Sequence, residues 1–506
     1  MKLLKNIDKT VFGFGVAIYL CIFLFIFITP KMAADVIKNV LDFTLNTTGW
    51  VFIVVYIFCL IMFLFFGLSK FGKIRLGADD SQPKFSFFSW MAMLFCAGLG
   101  VGLVFFGVTE PVSHFIQAPY AESGSVQAAA DAMRITFFHW GIMPWSVYGI
   151  IGLCVGYFTF RKGLPALMSS ALAPMLGYDN TRGKIGKMVD TFALIATVCG
   201  ASMSLGFAAT QFSAGLKGQF GIDNSFPVVC IITVLIGAIA MFSALKGIDK
   251  GIKFFSNTNV YLIIFFMIFA FVLGAPVVYL LETFVEGLGD MLAGMPKMVF
   301  FMDAYGTVED HVGFNWIGSW TVMYWAWWAA FGPFVGGFLA DVSEGRTIRE
   351  FVLACAFVPG LFCCLWFCLY GGGAIYLDLF QNANIGPSIV ADSNNSLFIF
   401  LRELPFSVVT VPLAMILIVF LIVTSVDSAT YVSASFCEKG SLTPTSSVRV
   451  FWGAFIIINA IAFMFIGGLS ILKNIAIALA LPFAIIMVLM IVCLYKDMKA
   501  SLPKEE

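Results

Sequence analysis

Apolar residues in this 506-residue chain come in long runs separated by short polar gaps. About 20 consecutive apolar residues in a helix match the hydrocarbon thickness of a bilayer. Such runs fall at 11–30, 49–68, 88–109, 137–160, 188–215, 225–245, 252–276, 315–340, 350–376, 404–435, 448–467 and 471–495. They predict an all-α polytopic membrane protein with twelve transmembrane helices. The first run is too long, and too lacking in a small-residue cleavage site, to be a removed signal peptide. Two weaker segments, 122–135 and 279–301, mix small or apolar residues with acidic ones and predict helices lying on the outer surface.

The polar gaps alternate in charge. Lys2, Lys5 and Lys9 precede the first run. Every second gap after it is basic: Lys70, Lys73, Arg75 and Lys84; Arg161, Lys162, Arg182, Lys184 and Lys187; Lys246, Lys250 and Lys253; Arg346 and Arg349; Lys439 and Arg449. The gaps between carry Glu110, Glu122, Asp131, Glu282, Glu286, Asp290, Asp303, Glu309 and Asp310. Basic loops stay in the cytoplasm, so both termini are expected there, in the inner membrane of a bacterial-type cell. Tails of about ten residues are too short for a further domain.

Composition narrows the function. Hydrophobic residues make up 60% and charged residues 11%, with 57 Phe, and formal net charge is zero. Lipid is therefore the solvent, and nucleic acid is not a partner. The twelve cysteines lie mostly in apolar runs without zinc or redox spacing, where a thiol acts as a small hydrophobe. His114, His139 and His311 are the three histidines, and no nucleophile–His–acid set accompanies them, so an enzyme is not expected and no cofactor is implied. A pore-lining ring of charge, which a channel needs, is also missing.

Several spans depart from uniform helix. The third holds Gly98-Leu99-Gly100-Val101-Gly102. Gly costs about 1 kcal/mol in a helix interior, so the stretch reads either as close packing through small residues or as an unwound binding segment. Gly332-Pro333 and Gly336-Gly337 form a counterpart in the eighth span, five helices later. Paired interruptions point to a transporter's midplane site and to a repeated five-helix unit. The tenth span carries Thr424-Ser425-Val426-Asp427-Ser428; hydroxyls beside a broken helix would suit Na⁺, and a buried Asp is functional by default. In the fourth span Trp145 and Tyr148 share a face and Pro144 predicts a kink. For Trp140 a place in the aromatic belt near the span's entry is the ordinary alternative to a binding role. His139 reads either as a proton relay or as packed or capped, the latter because no carboxylate lies within one turn. Five tryptophans fall between Trp316 and Trp328, ending in Tyr324-Trp325-Ala326-Trp327-Trp328. Core filling by Phe and Leu elsewhere makes this run costly without a purpose. Indole faces are the best protein surface for a cation with no N–H to donate, a quaternary ammonium.

On the Gly98–Gly102 stretch, Phe138-His139-Trp140, Pro144-Trp145, Tyr148, Trp320–Trp328, Gly345–Glu350 and Thr424–Ser428, the chain resembles the betaine/carnitine/choline transporter family over nearly its whole length. It is similar both to sodium-coupled glycine betaine permeases and to the carnitine antiporter branch. The resemblance implies two peripheral helices followed by LeuT-like inverted five-helix repeats, assembled as a homotrimer. The expected division is 1–87, 88–278, 279–312 (an extracellular connector), 313–495 and 496–506. It further implies that an aromatic box of Trp140, Trp145, Tyr148 and Trp328 holds the trimethylammonium group. Trp327 lines the path, Phe331 stands where Trp or Tyr is frequent, and Gly100, Gly102 and Phe105 complete the substrate site.

The same resemblance bears on charge and coupling. Relatives that carry choline often have Asp at the position of Gly102, so a zwitterion such as glycine betaine or carnitine is expected. An unbalanced cation would also be costly to desolvate. Sodium-free exchangers use an Arg and a Met where Val260 and Val335 stand. The sodium cage of coupled relatives corresponds to backbone of Cys96 and Leu99 with the hydroxyls of Thr424 and Ser425. A second sodium site matches at Thr197 and Phe334, but its other threonine is Ala201. Import of a zwitterionic trimethylammonium compound by Na⁺ symport is the leading expectation. A sodium-independent substrate:product antiporter and a proton-coupled choline transporter are the alternatives.

Overall fold

The computed structural model describes residues 6–98, 100–246, 253–478 and 480–501. The longer helices are α1 (Lys9–Ile28), α2 (Pro30–Asp42), α3 (Gly49–Leu68), α4 (Phe87–Gly98), α5 (Val101–Ile116), α6 (Val126–Trp140), α7 (Ile142–Gly156), α8 (Lys184–Phe220), α9 (Phe226–Lys246), α10 (Lys253–Leu273), α11 (Val277–Met298), α12 (Met323–Asp341), α13 (Ile348–Phe367), α14 (Ser407–Cys437), α15 (Ser446–Ala478) and α16 (Ala480–Ser501). Helix is what an apolar solvent demands, because each backbone N–H and C=O must find its partner within the segment. Among the described residues ten helical segments are long and apolar enough to cross a membrane, and each coincides with one of the predicted runs.

The third and eighth runs are not among those ten. In the third, α4 ends at Gly98 and α5 starts after Gly100, whose extended backbone (φ −76°, ψ −168°) stops the helix. The eighth is rich in Trp and Tyr, whose polar N–H and O–H lower its mean hydropathy. It is not interrupted: α12 runs unbroken through Gly332-Pro333. Those small residues serve close packing, since a Cβ at Gly332 or Gly336 would come within 2.4 or 2.6 Å of Ile151 on α7. Of the two expected interruptions, the structure has one.

Residues 122–135 do not form a separate surface helix. From Val126 they are the first turns of α6, with Ala128, Asp131 and Ala132 buried, and α6 leads directly into α7. The junction is Gly141 (φ −73°, ψ −133°), not Pro144. Pro144 lies in the first turn of α7, where a missing N–H costs nothing. A Cβ on Gly360 of α13 would sit 2.9 Å from the Gly141 carbonyl carbon, so two glycines let the bend pack backbone to backbone. The second expected surface segment is α11, which leaves Val278, Leu281, Val285 and Leu292 exposed. The short amphipathic α2, polar at Lys31, Asp35, Lys38 and Asp42, has no counterpart among the predicted segments.

Burial sets the order of layers. In the apolar windows of Val126–Arg161 and Lys184–Phe220, 94% of residues are buried, against 22% in Lys9–Ile28 and 28% in Phe254–Leu273. Helices α6, α7 and α8 therefore form the centre, and α1 and α10 the periphery, with Phe14, Leu24, Tyr261 and Ile268 outward.

Candidate functional site

Tyr324, Trp327, Trp328 and Phe331 recur at helical spacing along α12 and face the centre. Trp328 lies at the heart of a ring cluster. Trp327 stacks on it at 4.7 Å between centroids and Tyr324 at 5.5 Å, both nearly parallel. Across the interhelical space Trp140 meets it edge-on at 4.9 Å, and Tyr148 at 6.2 Å. Trp145 stands edge-on to Tyr148 at 6.0 Å. Trp140, Trp145, Tyr148, Trp327 and Trp328 are all buried, so Trp140 belongs to the interior and not to an interfacial belt. The indole N–H groups of Trp327 and Trp328 are buried without an acceptor among the described residues.

The remaining tryptophans of the run do other things. Trp325 stacks on Tyr56 of α3 at 4.8 Å, and the Tyr56 hydroxyl donates to its carbonyl at 2.6 Å. Trp316 and Trp320 pack around His114 at 5.4 and 4.6 Å.

Helix α5 brings the glycine-rich stretch to the cluster. A Cβ at Gly102 would lie 3.2 Å from Trp327 and 3.3 Å from Trp140, so only glycine lets both indoles close over the backbone here. Phe105 packs edge-on to Phe106 at 4.8 Å and to Phe207 of α8 at 4.9 Å. These three rings line a cavity of about 390 Å³ that extends past Thr109, Ser113, Gln117, Trp320 and Ser393. At the opposite end of the helices a cavity of about 120 Å³ is lined by Lys84, Asp341, Glu344, Thr424 and Ser428, among others. The aromatic cluster thus lies between two cavities.

The break between α4 and α5 faces α14: a Cβ on Gly100 would be 3.6 Å from Ser425 Oγ. The hydroxyls of Thr424 and Ser425 donate to the Leu421 carbonyl at 2.8 and 3.1 Å, leaving their lone pairs free to accept a cation. Leu99 lies outside the described residues, as does the side chain of Cys96 on α4. Phe331 covers Gly200 on α8, where a Cβ would be 3.0 Å from its ring. One turn earlier on α8, the Thr197 hydroxyl is buried without a partner among the described residues, and Phe334 is buried beside Phe331 at 6.4 Å. Asp427 does not join the hydroxyls. Arg449 donates to its carboxylate at 2.6 Å and Ser243 at 2.7 Å, a closed ion pair that ties α14 to α15 and α9.

The residue that sequence reasoning missed is Glu110. By sequence it falls in a polar gap, but α5 starts late because of the break and carries it into the interior, where it is fully buried. Its Oε2 accepts from Trp140 Nε1 and Tyr324 Oη, each at 2.5 Å. Oε1 lies 2.7 Å from His139 Nδ1, so His139 does have a carboxylate partner, supplied by another helix. Glu110 and His114 fall at i, i+4 within an apolar helix, which is the signal that could have revealed them. Ligand atoms of Glu110, His114 and His139 lie within 4.8 Å of one another, spacing compatible with a metal ion. Both carboxylate oxygens are already engaged at close range by Trp140, Tyr324 and His139, however, while His114 approaches Oε1 only to 3.5 Å, with neither ring nitrogen hydrogen-bonded among the described residues.

Comparisons with known proteins agree with this architecture. The family model described as "BCCT, betaine/carnitine/choline family transporter" matches residues 10–502. The chain is 41% identical to the glycine betaine transporter OpuD of Bacillus subtilis, over 98% of this chain and 95% of the relative. It is 38% identical to a probable glycine betaine transporter of Desulfitobacterium hafniense, over 98% and 99%. An ectoine/hydroxyectoine transporter of Virgibacillus pantothenticus is 38% identical over 91% and 90%. A match across nearly the full chain, on a helical membrane architecture, makes this protein a member of the betaine/carnitine/choline transporter family, a membrane transporter and not an enzyme.

Proposed function

We propose that the protein imports a zwitterionic trimethylammonium compound, glycine betaine or a close analogue, by Na⁺ symport with alternating access. The observation that carries this reading is the buried convergence of Trp140, Trp145, Tyr148, Trp327 and Trp328 between two cavities. A methylated ammonium offers no hydrogen bond, so ring faces hold it through their quadrupole, by up to about 2 kcal/mol per desolvated contact. A zwitterion also needs donors for its carboxylate, and the unpaired indole N–H groups of Trp327 and Trp328 are available. The glycine betaine transporters among the relatives support the substrate class.

For the ion, the Thr424 and Ser425 hydroxyls beside the α4–α5 break offer hard oxygen donors of the type Na⁺ prefers. Thr197 and Phe334 belong to a second, incomplete ion site. With Val at positions 260 and 335, neither side chain associated with sodium-free exchange is present, which favours symport over the substrate:product antiporter. Twelve spans in inverted five-helix repeats, a homotrimeric assembly, and basic loops with both termini in the cytoplasm of a bacterial inner membrane complete the proposal. Ion and substrate each order part of the same site, so each raises the affinity for the other.

Trp328→Ala tests the box. Uptake of labelled glycine betaine into cells expressing the variant falls at least a hundredfold while membrane content is unchanged; normal uptake removes the assignment.

A further inference from the structure

We propose that Glu110 is the specificity-determining counter-charge of the ammonium site. An anion fixed behind the aromatic wall makes that wall select a cation over a neutral group of the same shape. The inference rests on the ammonium reading above.

The hydrogen bonds define the ionic form. Indole N–H only donates, and Trp140 Nε1 and Tyr324 Oη converge on Oε2 at 2.5 Å each. His139 Nε2 lies 2.9 Å from Thr321 Oγ1 and its Nδ1 lies 2.7 Å from Oε1. The network is satisfied when Thr321 donates to Nε2 and the Nδ1–H tautomer donates to Oε1, a tautomer assigned from these partners. Three donors then point at a carboxylate, which is the arrangement of the ionised form. Among the described residues no Lys or Arg pairs with Glu110; its ion-pair partners are His139 and, at 3.5 Å, His114. A fully buried carboxylate held by an indole, a phenol and two imidazoles is costly to a protein that has no use for the charge.

Its placement supplies the use. The two rings bonded to Oε2 both adjoin Trp328, Trp140 edge-on at 4.9 Å and Tyr324 stacked at 5.5 Å. A donor bonded to an anion releases electron density into its ring, and the charge itself acts through a low-dielectric wall one ring thick. Both effects favour a positive head group and neither helps a neutral one.

Glu110→Gln separates charge from position. The amide oxygen takes the bonds from Trp140 and Tyr324, and the amide N–H donates to His139 in its other tautomer. The purified full-length protein is titrated with glycine betaine and with 3,3-dimethylbutanoate, in which a neutral carbon replaces the ammonium nitrogen. In Glu110→Gln, betaine binding weakens roughly tenfold or more while isostere binding stays within about twofold. Equal weakening of both ligands, or of neither, overturns the proposal and assigns Glu110 to positioning alone. A wild type that does not prefer betaine to its isostere overturns the ammonium reading as well, so the two failures are distinct. Should the variant not fold, Tyr324→Phe keeps the ring and removes one tether. It costs betaine a few-fold in affinity and the isostere nothing; any other pattern overturns the inference.

Discussion

Gly102 shows how much of this site depends on what is missing from a side chain. Its hydrogen faces Trp140 and Trp327 at a distance that leaves a Cβ 3.2–3.3 Å from both. Gly102→Ala pushes the rings apart by a few tenths of an ångström and weakens glycine betaine binding by about 1–2 kcal/mol, roughly tenfold. Gly102→Asp puts a carboxylate at the same edge and shifts preference from the zwitterion towards choline. Competition between labelled glycine betaine and unlabelled choline measures both, and an unchanged ratio in Gly102→Asp rejects the placement. The tryptophan run was legible as a binding feature, but not its division of labour. Trp325 and Trp328 are three residues apart, yet one stacks on Tyr56 and the other anchors the cluster.

Helices here are interrupted where the backbone has to be, not wherever glycine and proline occur. The α4–α5 break places Gly100 against Ser425, whereas Gly332-Pro333 lies inside an unbroken α12. Both readings were open in the sequence, because a small residue serves close packing and unwinding alike. Helix α1 illustrates a simpler dependence on its ends. The Asp8 carboxylate caps it, accepting from Thr10 N at 3.0 Å, and faces Lys187 of α8 at 3.2 Å. Burial alone would raise the Asp8 pKa, but the Lys187 contact and the cap bonds outweigh it and hold the group below its ordinary range. A lowered folded-state pKa adds stability above the ordinary carboxylate range, and that stability is lost as pH falls below about 4. Asp8→Ala costs the first turn on the order of 1 kcal/mol. Hydrogen exchange at Thr10 and Val11 checks it: faster in the variant at neutral pH, with the difference from wild type closing under acid.

Across the molecule the important relation is between two cavities and the ring cluster that separates them. About 390 Å³ lies on the side of Gln117 and Ser393, and about 120 Å³ on the side of Lys84 and Glu344, adjoining Thr424. A transporter needs such an arrangement, with access alternating across a site that never opens to both sides. In proteoliposomes an inward sodium gradient drives glycine betaine accumulation above the outside concentration, and Thr424→Ala with Ser425→Ala raises the sodium needed for half-maximal uptake. Accumulation that ignores the gradient excludes symport and brings exchange forward.

Ten spans, the polytopic class and the kinship with betaine/carnitine/choline transporters could be read from order of residues alone, because each rests on local composition or on a contiguous motif. Glu110 could not. Its burial follows from the break at Gly100, ten residues upstream, and its partners Trp140, Tyr324 and His139 come from other helices. The pairing of Asp427 with Arg449 and Ser243 was hidden in the same way. Which buried polar groups meet is set by how helices distant in the chain pack, and periodicity along one helix carries no record of it.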